Sequence, residues 1–377
     1  IIILQLFMRN YLDFEKEIKS LEDNLEASKN PFDKDGISEV DTKKIKKIEE
    51  EVNEKLSEIY TSLNSWQKVQ VARHEDRPRA NFYIKKIFSN FTLLSGDRLF
   101  AEDKSIIAGF GLIEGKSVLI LGQEKGDNLN TRLERNFGMM KPEGYRKCIR
   151  LMKLADRFRI PVISFIDTPG AYPGIGAEQR GQATAIANSI ECCMTLKVPN
   201  ISIIIGEGGS GGAIALASSN KVIMLEHSIY SVISPEGCAS ILWRDPTKSL
   251  EAAEAMKLTA DELLNLKIID EIIPEPIGGA HRDTDQIADE IKKSILKNLE
   301  EFENLSGDQI FDHRKNRFLK IGRDQGFKKS TNTESFQGLS YVQPGYNKLV
   351  RFFNKNKSIS LITLGVIGLA AFLYLLV

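Results

Sequence analysis

Cysteine is scarce in this chain of 377 residues, and it carries no pattern. Cys148, Cys192, Cys193 and Cys238 form no C-x-x-C pair, which excludes a zinc knuckle and leaves no basis for a disulfide framework. Such usage fits a reducing cytosol. The adjacent Cys192 and Cys193 fall in an alanine-rich helical stretch and read as packing residues. Charge of one sign is lacking too: 51 basic residues balance 51 acidic ones, so no global basic field points to nucleic acid. No Walker phosphate loop is present. Gly109-Phe-Gly111 followed by Gly115-Lys116-Ser117 puts Phe110 where the glycine belongs, and Glu114-Gly115-Lys116 reads as a hairpin turn. The apolar opening Ile1–Phe7 has neither a basic flank nor a small-residue cleavage site, so it is not a signal peptide. Met8 reads as the natural start, with residues 1–7 as extra translated sequence.

What the chain does have is two glycine-rich turns, each launched from an apolar run of buried-strand length. The first is Pro161-Val-Ile-Ser-Phe-Ile-Asp-Thr-Pro-Gly-Ala-Tyr-Pro-Gly174, and the second is Ile201-Ser-Ile-Ile-Ile-Gly-Glu-Gly-Gly-Ser-Gly-Gly212. Each leads into a helical stretch, Gly181–Leu196 and Gly212–Ser218. Glycine at a strand-to-helix corner admits a ligand to the main chain, and the first helical turn leaves its N–H groups without partners. Two such corners in one domain suit an enzyme that stabilises an oxyanion with backbone donors.

Around them the sequence alternates strand and helix from about residue 83 to 276, the mark of an α/β domain with a covered sheet. Strands are expected over Ser117–Gly122, Pro161–Asp167, Ile201–Ile205 and Lys221–Leu225, with an amphipathic helix over Gly144–Phe158. Ser234 and Pro235 start another helix, and Thr259-Ala-Asp-Glu262 has capping-box spacing. Before this domain, Ile45, Ile48, Val52, Leu56, Ile59, Leu63 and Trp66 recur in steps of three and four as one stripe of a long helix. Asn30-Pro-Phe-Asp-Lys-Asp-Gly36 separates it from an earlier helix, so residues 8–80 read as a helical arm packed either on residues 81–322 or on a partner chain.

Gly208-Gly-Ser-Gly-Gly212 also satisfies the G-x-S-x-G pattern of serine hydrolases, with Ser210 as nucleophile. The triad would need His281 with Asp245 or Asp270, and His281 stands in a loop without its own strand signal. This is the alternative reading.

Several long stretches together resemble a known family. They include Tyr11-Leu-Asp-Phe-Glu15, Ala72-Arg-His74, Arg135-Asn-Phe-Gly138, Pro142-Glu-Gly-Tyr-Arg-Lys147 and both glycine turns. Tyr230-Ser-Val-Ile-Ser-Pro-Glu-Gly-Cys-Ala-Ser-Ile-Leu-Trp243 and Ile273-Pro-Glu-Pro-Ile-Gly-Gly-Ala-His-Arg282 complete the set. From about Met8 to Gly322 the chain resembles the alpha subunits of the carboxyltransferase component of bacterial acetyl-CoA carboxylase. That resemblance implies a crotonase/ClpP-like fold and transfer of carboxyl from carboxybiotin on a carrier protein to acetyl-CoA, giving malonyl-CoA. It implies two oxyanions, on the ureido oxygen of biotin and on the thioester oxygen. It places backbone donors at Gly211 and Gly212 on the helix corner and at Gly170, Ala171 and Gly174 on the loop, with Gly208, Gly209 and Tyr172 around carboxybiotin. The second oxyanion hole and a zinc ribbon are expected in a beta subunit, within an α₂β₂ assembly that works with the biotin carboxyl carrier protein and biotin carboxylase. No metal is expected in this chain.

Beyond Gly322 the family likeness ends. Residues 323–358 form a polar linker that includes Lys328-Lys-Ser-Thr-Asn-Thr-Glu-Ser-Phe-Gln-Gly338. Lys348, Arg351, Lys355 and Lys357 then precede Ile359–Val377, an uncharged stretch that would span about 28 Å as a helix, against ~30 Å of bilayer hydrocarbon. The tail therefore reads as a candidate transmembrane helix that tethers a cytoplasmic enzyme to the inner face of the membrane, the alternatives being a helix buried in the assembly or a tail fused by read-through.

Overall fold

The computed structural model describes residues 10–29, 32–33, 36–37 and 41–323. Residues 1–7, the Met8 start, the polar linker from residue 324 onward and Ile359–Val377 lie outside the described residues. Among the described residues, no helix is long and apolar enough to cross a membrane.

The arm begins with α1 (Lys16–Lys29), followed by the short antiparallel pair β1 (Phe32–Asp33) and β2 (Gly36–Ile37), and then α2 (Thr42–Thr61). Asp41 starts α2 by accepting from the amides of Lys43 and Lys44. The apolar stripe is cut earlier than its spacing suggests. Asn64 and Gln67 form a capping box that opens α3 (Ser65–Ala72), so Trp66 belongs to a separate helix. Ile18, Val52, Leu56 and Tyr60 bury one face of the hairpin together with Val71 of α3. Arg282 then fastens the arm to the main domain. It pairs with Glu22 at 2.7 Å and Glu15 at 3.4 Å, while the Tyr60 hydroxyl donates to Glu15 at 2.9 Å.

After α4 (Ala80–Ile87) come β3 (Ser89–Leu93), β4 (Ile106–Ile113) and β5 (Lys116–Gln123), an antiparallel meander. The β4–β5 turn is the expected hairpin, with Glu114 at φ 43° and Gly115 at φ 76°. Then strands and helices alternate: α5 (Leu129–Glu134), α6 (Pro142–Phe158), β6 (Val162–Thr168), α7 (Ile175–Gln179), α8 (Gln182–Thr195), β7 (Asn200–Gly209), α9 (Ser210–Ala217) and β8 (Lys221–Leu225). The chain continues through β9 (Ile229–Ser231), α10 (Pro235–Leu242), α11 (Ser249–Met256), α12 (Ala260–Asn265), β10 (Glu271–Ile273), α13 (Thr284–Glu300) and α14 (Gly307–Lys320). The sheet runs β10-β8-β7-β6-β5-β4-β3, and β9 pairs with β7. From β10 to β5 the neighbours are parallel.

Two apolar layers cover the sheet. Side chains of α6, α8, α9 and α12 fill one face, and those of α4 and α13 fill the other. With both faces covered, every residue of β6 and β7 is buried, which is why these strands read as unbroken apolar runs. Cys192 and Cys193 lie inside the first layer.

Three details differ from the sequence expectation. The first glycine turn passes through the short helix α7 before Gly181, at φ 81°, starts α8. The strand β7 continues through the glycines to Gly209. Thr259 makes no backbone cap; its hydroxyl donates to the Glu262 carboxylate at 2.9 Å instead. Ser234 does cap α10, accepting from the Gly237 amide at 3.1 Å. The arm and the sheet belong to one unit, which ends at Asp324.

Replacing Arg282 with methionine would remove the guanidinium that pairs with the buried carboxylates of Glu15 and Glu22. Urea unfolding of the Arg282→Met protein is expected to show a loss of about 3–5 kcal/mol, the scale of a broken buried ion pair. A loss below about 1 kcal/mol would mean that the arm does not depend on this pairing.

Candidate active site

The strands β6 and β7 are parallel neighbours, so their glycine turns emerge side by side at the same edge of the sheet. There the two corners touch. A β-carbon at Gly209 would lie 2.2 Å from the Pro169 carbonyl oxygen. One at Gly212 would lie 2.6 Å from the Gly170 carbonyl carbon and 3.0 Å from the Ala171 nitrogen. Only glycine permits this backbone-to-backbone contact. Gly211 differs: its missing β-carbon would meet only the Ile186 side chain, at 3.6 Å, so there the main chain is open to approach.

The corner on α9 has no side-chain cap, because its N-cap is Gly209. The first-turn amides of Ser210, Gly211 and Gly212 are those that a helix leaves without intrahelical acceptors. Gln123, buried at the end of β5, holds this turn from below by donating to the Gly212 carbonyl at 2.8 Å. Ser210 itself has φ 49°, a left-handed conformation that costs a non-glycine residue about 1–3 kcal/mol and marks a constrained corner.

The opposite loop is fixed residue by residue. The Thr168 hydroxyl donates to the Gly170 carbonyl at 2.7 Å and accepts the Gly170 amide at 3.2 Å. Tyr172 donates its amide to the Met140 carbonyl at 3.1 Å. The Gln182 side chain donates both to that carbonyl, at 2.8 Å, and to the Tyr172 carbonyl, at 3.0 Å. The Tyr172 ring sits against Gly174, where a β-carbon would come within 2.3 Å of it, and the Lys141 ammonium lies 5.1 Å from the ring centre.

The structure thus brings Gly170, Ala171, Gly211 and Gly212 to one junction, with Tyr172 and Gly174 further along the loop. Gly208 and Gly209, expected beside carboxybiotin, are buried residues at the end of β7. Gly208 packs under Tyr230, where a β-carbon would come within 3.0 Å of the ring, and Gly209 packs under Pro169. Their glycine character serves the packing of the corner.

Sequence reasoning missed the charges beneath this junction. Lys125, Asp167 and Glu207 stand at the ends of three adjacent strands. The Lys125 ammonium lies 2.7 Å from Asp167 and 3.0 Å from Glu207. Arg79 reaches Asp167 at 3.2 Å, and Arg73 bridges Glu207 at 2.7 Å and Glu236 at 2.6 Å. Burial alone would raise the Asp167 carboxyl, but Lys125 and Arg79 overcome it and hold the group below the usual carboxylate range. Glu207 is lowered in the same way, with Lys125 and Arg73 outweighing its burial. The available signal was a charged residue at the carboxyl end of each apolar run, a position where sites form in parallel sheets.

The hydrolase constellation is not assembled. His281 stacks on His74 with ring centres 3.9 Å apart. Asp270 pairs with Arg317 at 2.8 Å and accepts the Val222 amide at 2.7 Å. Asp245 accepts the Thr247 amide at 2.9 Å on an exposed turn. Each required partner of Ser210 is engaged elsewhere. Among the described residues there is no group of three or more His, Cys, Asp or Glu that could hold a metal ion.

Comparison with known proteins gives this geometry its context. The family described as acetyl co-enzyme A carboxylase carboxyltransferase-like matches residues 11–322. The acetyl-coenzyme A carboxylase carboxyl transferase subunit alpha of Pelagibacter ubique is 62% identical over 365 residues, covering 97% of this chain and 99% of that protein. Its counterpart in Agrobacterium fabrum is 54% identical over 318 residues, covering 84% of this chain and all of that protein. Among solved structures, transcarboxylase 12S with hydrolysed methylmalonyl-coenzyme A bound superposes with a TM-score of 0.50 at 17% identity, covering 64% of this chain and 45% of that one. This last likeness shows a shared α/β carboxyltransferase fold. By the extent of the family match and the identity of its relatives, the chain belongs to the acetyl co-enzyme A carboxylase carboxyltransferase-like family.

Proposed function

We propose that this chain is the alpha-type subunit of an acetyl-CoA carboxylase carboxyltransferase. In that role it moves a carboxyl group from carboxybiotin on a carrier protein to acetyl-CoA, giving malonyl-CoA for fatty acid synthesis. The observation that carries the reading is the contact of two glycine corners at one sheet edge, with the first turn of α9 left uncapped. Carboxybiotin supplies an activated carboxyl group; what this chain supplies is preorganised hydrogen-bond donors for the negative charge that develops on oxygen.

Two amides are suited to the task. Gly211 offers its N–H at the only one of the α9 corner glycines where the main chain is open, and Ala171 supplies the donor from the loop. Gly170 is less suited, since its amide is committed to the Thr168 hydroxyl. Gly212 keeps the corners in contact and so excludes water from behind the donors. Tyr172 and Gly174 shape the adjoining wall. No side-chain nucleophile is required, which agrees with Ser210 lacking a base.

The remaining chemistry is assigned to partners. The thioester oxyanion and a zinc ribbon belong, on this reading, to a beta subunit in an α₂β₂ assembly served by the biotin carboxyl carrier protein and biotin carboxylase. Support comes from large apolar side chains exposed near the corners. Ile175 on α7, Val232 after β9, and Ile241 and Leu242 on α10 are each at least 65% exposed, as expected where another subunit covers them. The C-terminal stretch Ile359–Val377 is proposed to tether this cytoplasmic complex to the inner face of the membrane. Its support is the sequence pattern together with the Pelagibacter relative, whose alignment must run beyond residue 322 to cover 365 residues.

In the complex with its beta subunit, Gly211→Val is expected to lower carboxyl transfer from malonyl-CoA to biotin by roughly 10²–10³-fold, the scale of one lost oxyanion donor. Circular dichroism and co-purification should be unchanged, and Ser210→Ala should keep most activity. Near-normal transfer by a stable Gly211→Val complex would sink the donor assignment, whereas collapse of Ser210→Ala would revive the hydrolase. The chain without its beta subunit should be inactive, and full activity alone would contradict a shared site. After a high-salt wash, full-length protein should stay in the membrane pellet, and a chain ending at Ser358 should become soluble with its activity intact. Equal solubility of both without detergent would rule out the tether.

A further inference from the structure

The pairing of β6 with β7 contains an irregularity directly before the α9 corner. Ile166 pairs with Ile204, and the next pair is Thr168 with Gly208. Over that interval β6 advances two residues and β7 advances four, so Ile205–Glu207 bulges out of the ladder. A bulge in a buried strand leaves backbone groups without ladder partners, and each must be satisfied from elsewhere. Two side chains do this. The Arg77 Nε donates to the Ile205 carbonyl at 2.7 Å, and the Asp167 Oδ1 accepts the Glu207 amide at 3.0 Å.

The surroundings are built around these two bonds. Arg77 is itself held by Glu275 at 2.9 Å. Asp167 is oriented by Lys125 on one oxygen and Arg79 on the other. Gly206, at the crest of the bulge, leaves space for the carboxylate: a β-carbon there would lie 2.7 Å from Asp167 Oδ1. Beyond the bulge, β7 exchanges its neighbour. Ile201–Ile204 pair with β8, but Glu207–Gly209 pair with β9, and Ser210 then turns into α9 against Pro169–Ala171.

We propose that Asp167 is a positioning residue for carboxyl transfer, because its carboxylate takes the place of the missing ladder partner in the β7 bulge and so sets where the α9 amides meet the β6 loop. The proposal rests on reading those amides as oxyanion donors. Bulges beside active sites re-aim the groups that follow them, and a shift of about 1 Å at a donor is enough to cost ~10²-fold in rate.

The test uses the assembled complex and follows carboxyl transfer from malonyl-CoA to biotin. Asp167→Ala should lower kcat by about 10²-fold and leave KM for malonyl-CoA within about twofold, because the CoA-binding groups are untouched. Asp167→Asn keeps an acceptor oxygen and should recover most of that loss. Gly206→Ala keeps every charge but crowds the carboxylate out of the bulge, so it should reproduce the kcat defect even if Asp167→Ala fails to fold. Amide exchange over residues 205–212 should rise in Asp167→Ala and Gly206→Ala but not in Asp167→Asn. Wild-type kcat in both Asp167→Ala and Gly206→Ala, alongside a defect in Gly211→Val, overturns the positioning role. Wild-type kcat in all three instead overturns the donor assignment beneath it.

Discussion

The arrangement depends on one close approach, that of the α9 corner to the loop after β6. Atoms of Gly209 and Gly212 lie so near Pro169, Gly170 and Ala171 that no side chain fits between them. The contact is made by main chain alone, and it sets two runs of backbone amides against each other at the carboxyl edge of a parallel sheet. On the proposed reading helix geometry supplies the donors, because an uncapped first turn presents N–H groups without any side chain having to move. A site built in this way suits a reaction whose difficulty is charge on oxygen. It gives no advantage to a reaction that needs a nucleophile.

Such a junction needs support from below, and the support is electrostatic. Three carboxylates (Asp167, Glu207 and Glu236) alternate with three cations (Lys125, Arg73 and Arg79) under the strand ends. Asp167, Glu207 and Arg79 are buried, and buried charges add little net stability when compared with apolar residues of the same volume, but removing one partner is strongly destabilising. Their value lies in direction: both oxygens of Asp167 and of Glu207 have defined donors, and one of those donors is the backbone of β7. The packing of Gln123 and Thr168 extends the same logic to the carbonyls of both corners.

Much of this was legible in the sequence, and the reasons are physical. The central strands were readable because both faces of β6 and β7 are covered, which forces continuous apolar runs. The corners were readable because a close backbone approach admits only glycine. The charged support was less visible, since Asp167 and Glu207 are local polar interruptions whose partners lie 40 to 134 residues away. The bulge was invisible for a related reason: Gly206 looks like part of the turn, and its purpose appears only when the Asp167 carboxylate is placed beside it. Likewise, the apolar spacing ran through Trp66 without revealing the break, although the Asn64–Gln67 capping box that makes it was present in the sequence.

The central claim is that main-chain donors from both corners hold the charged oxygen. A structure of the complex with its beta subunit and biotin bound would test it most directly. The account predicts the ureido oxygen of biotin within about 2.7–3.1 Å of the Gly211 and Ala171 nitrogens. An oxygen held by a side chain, or one facing away from both amides, would contradict it.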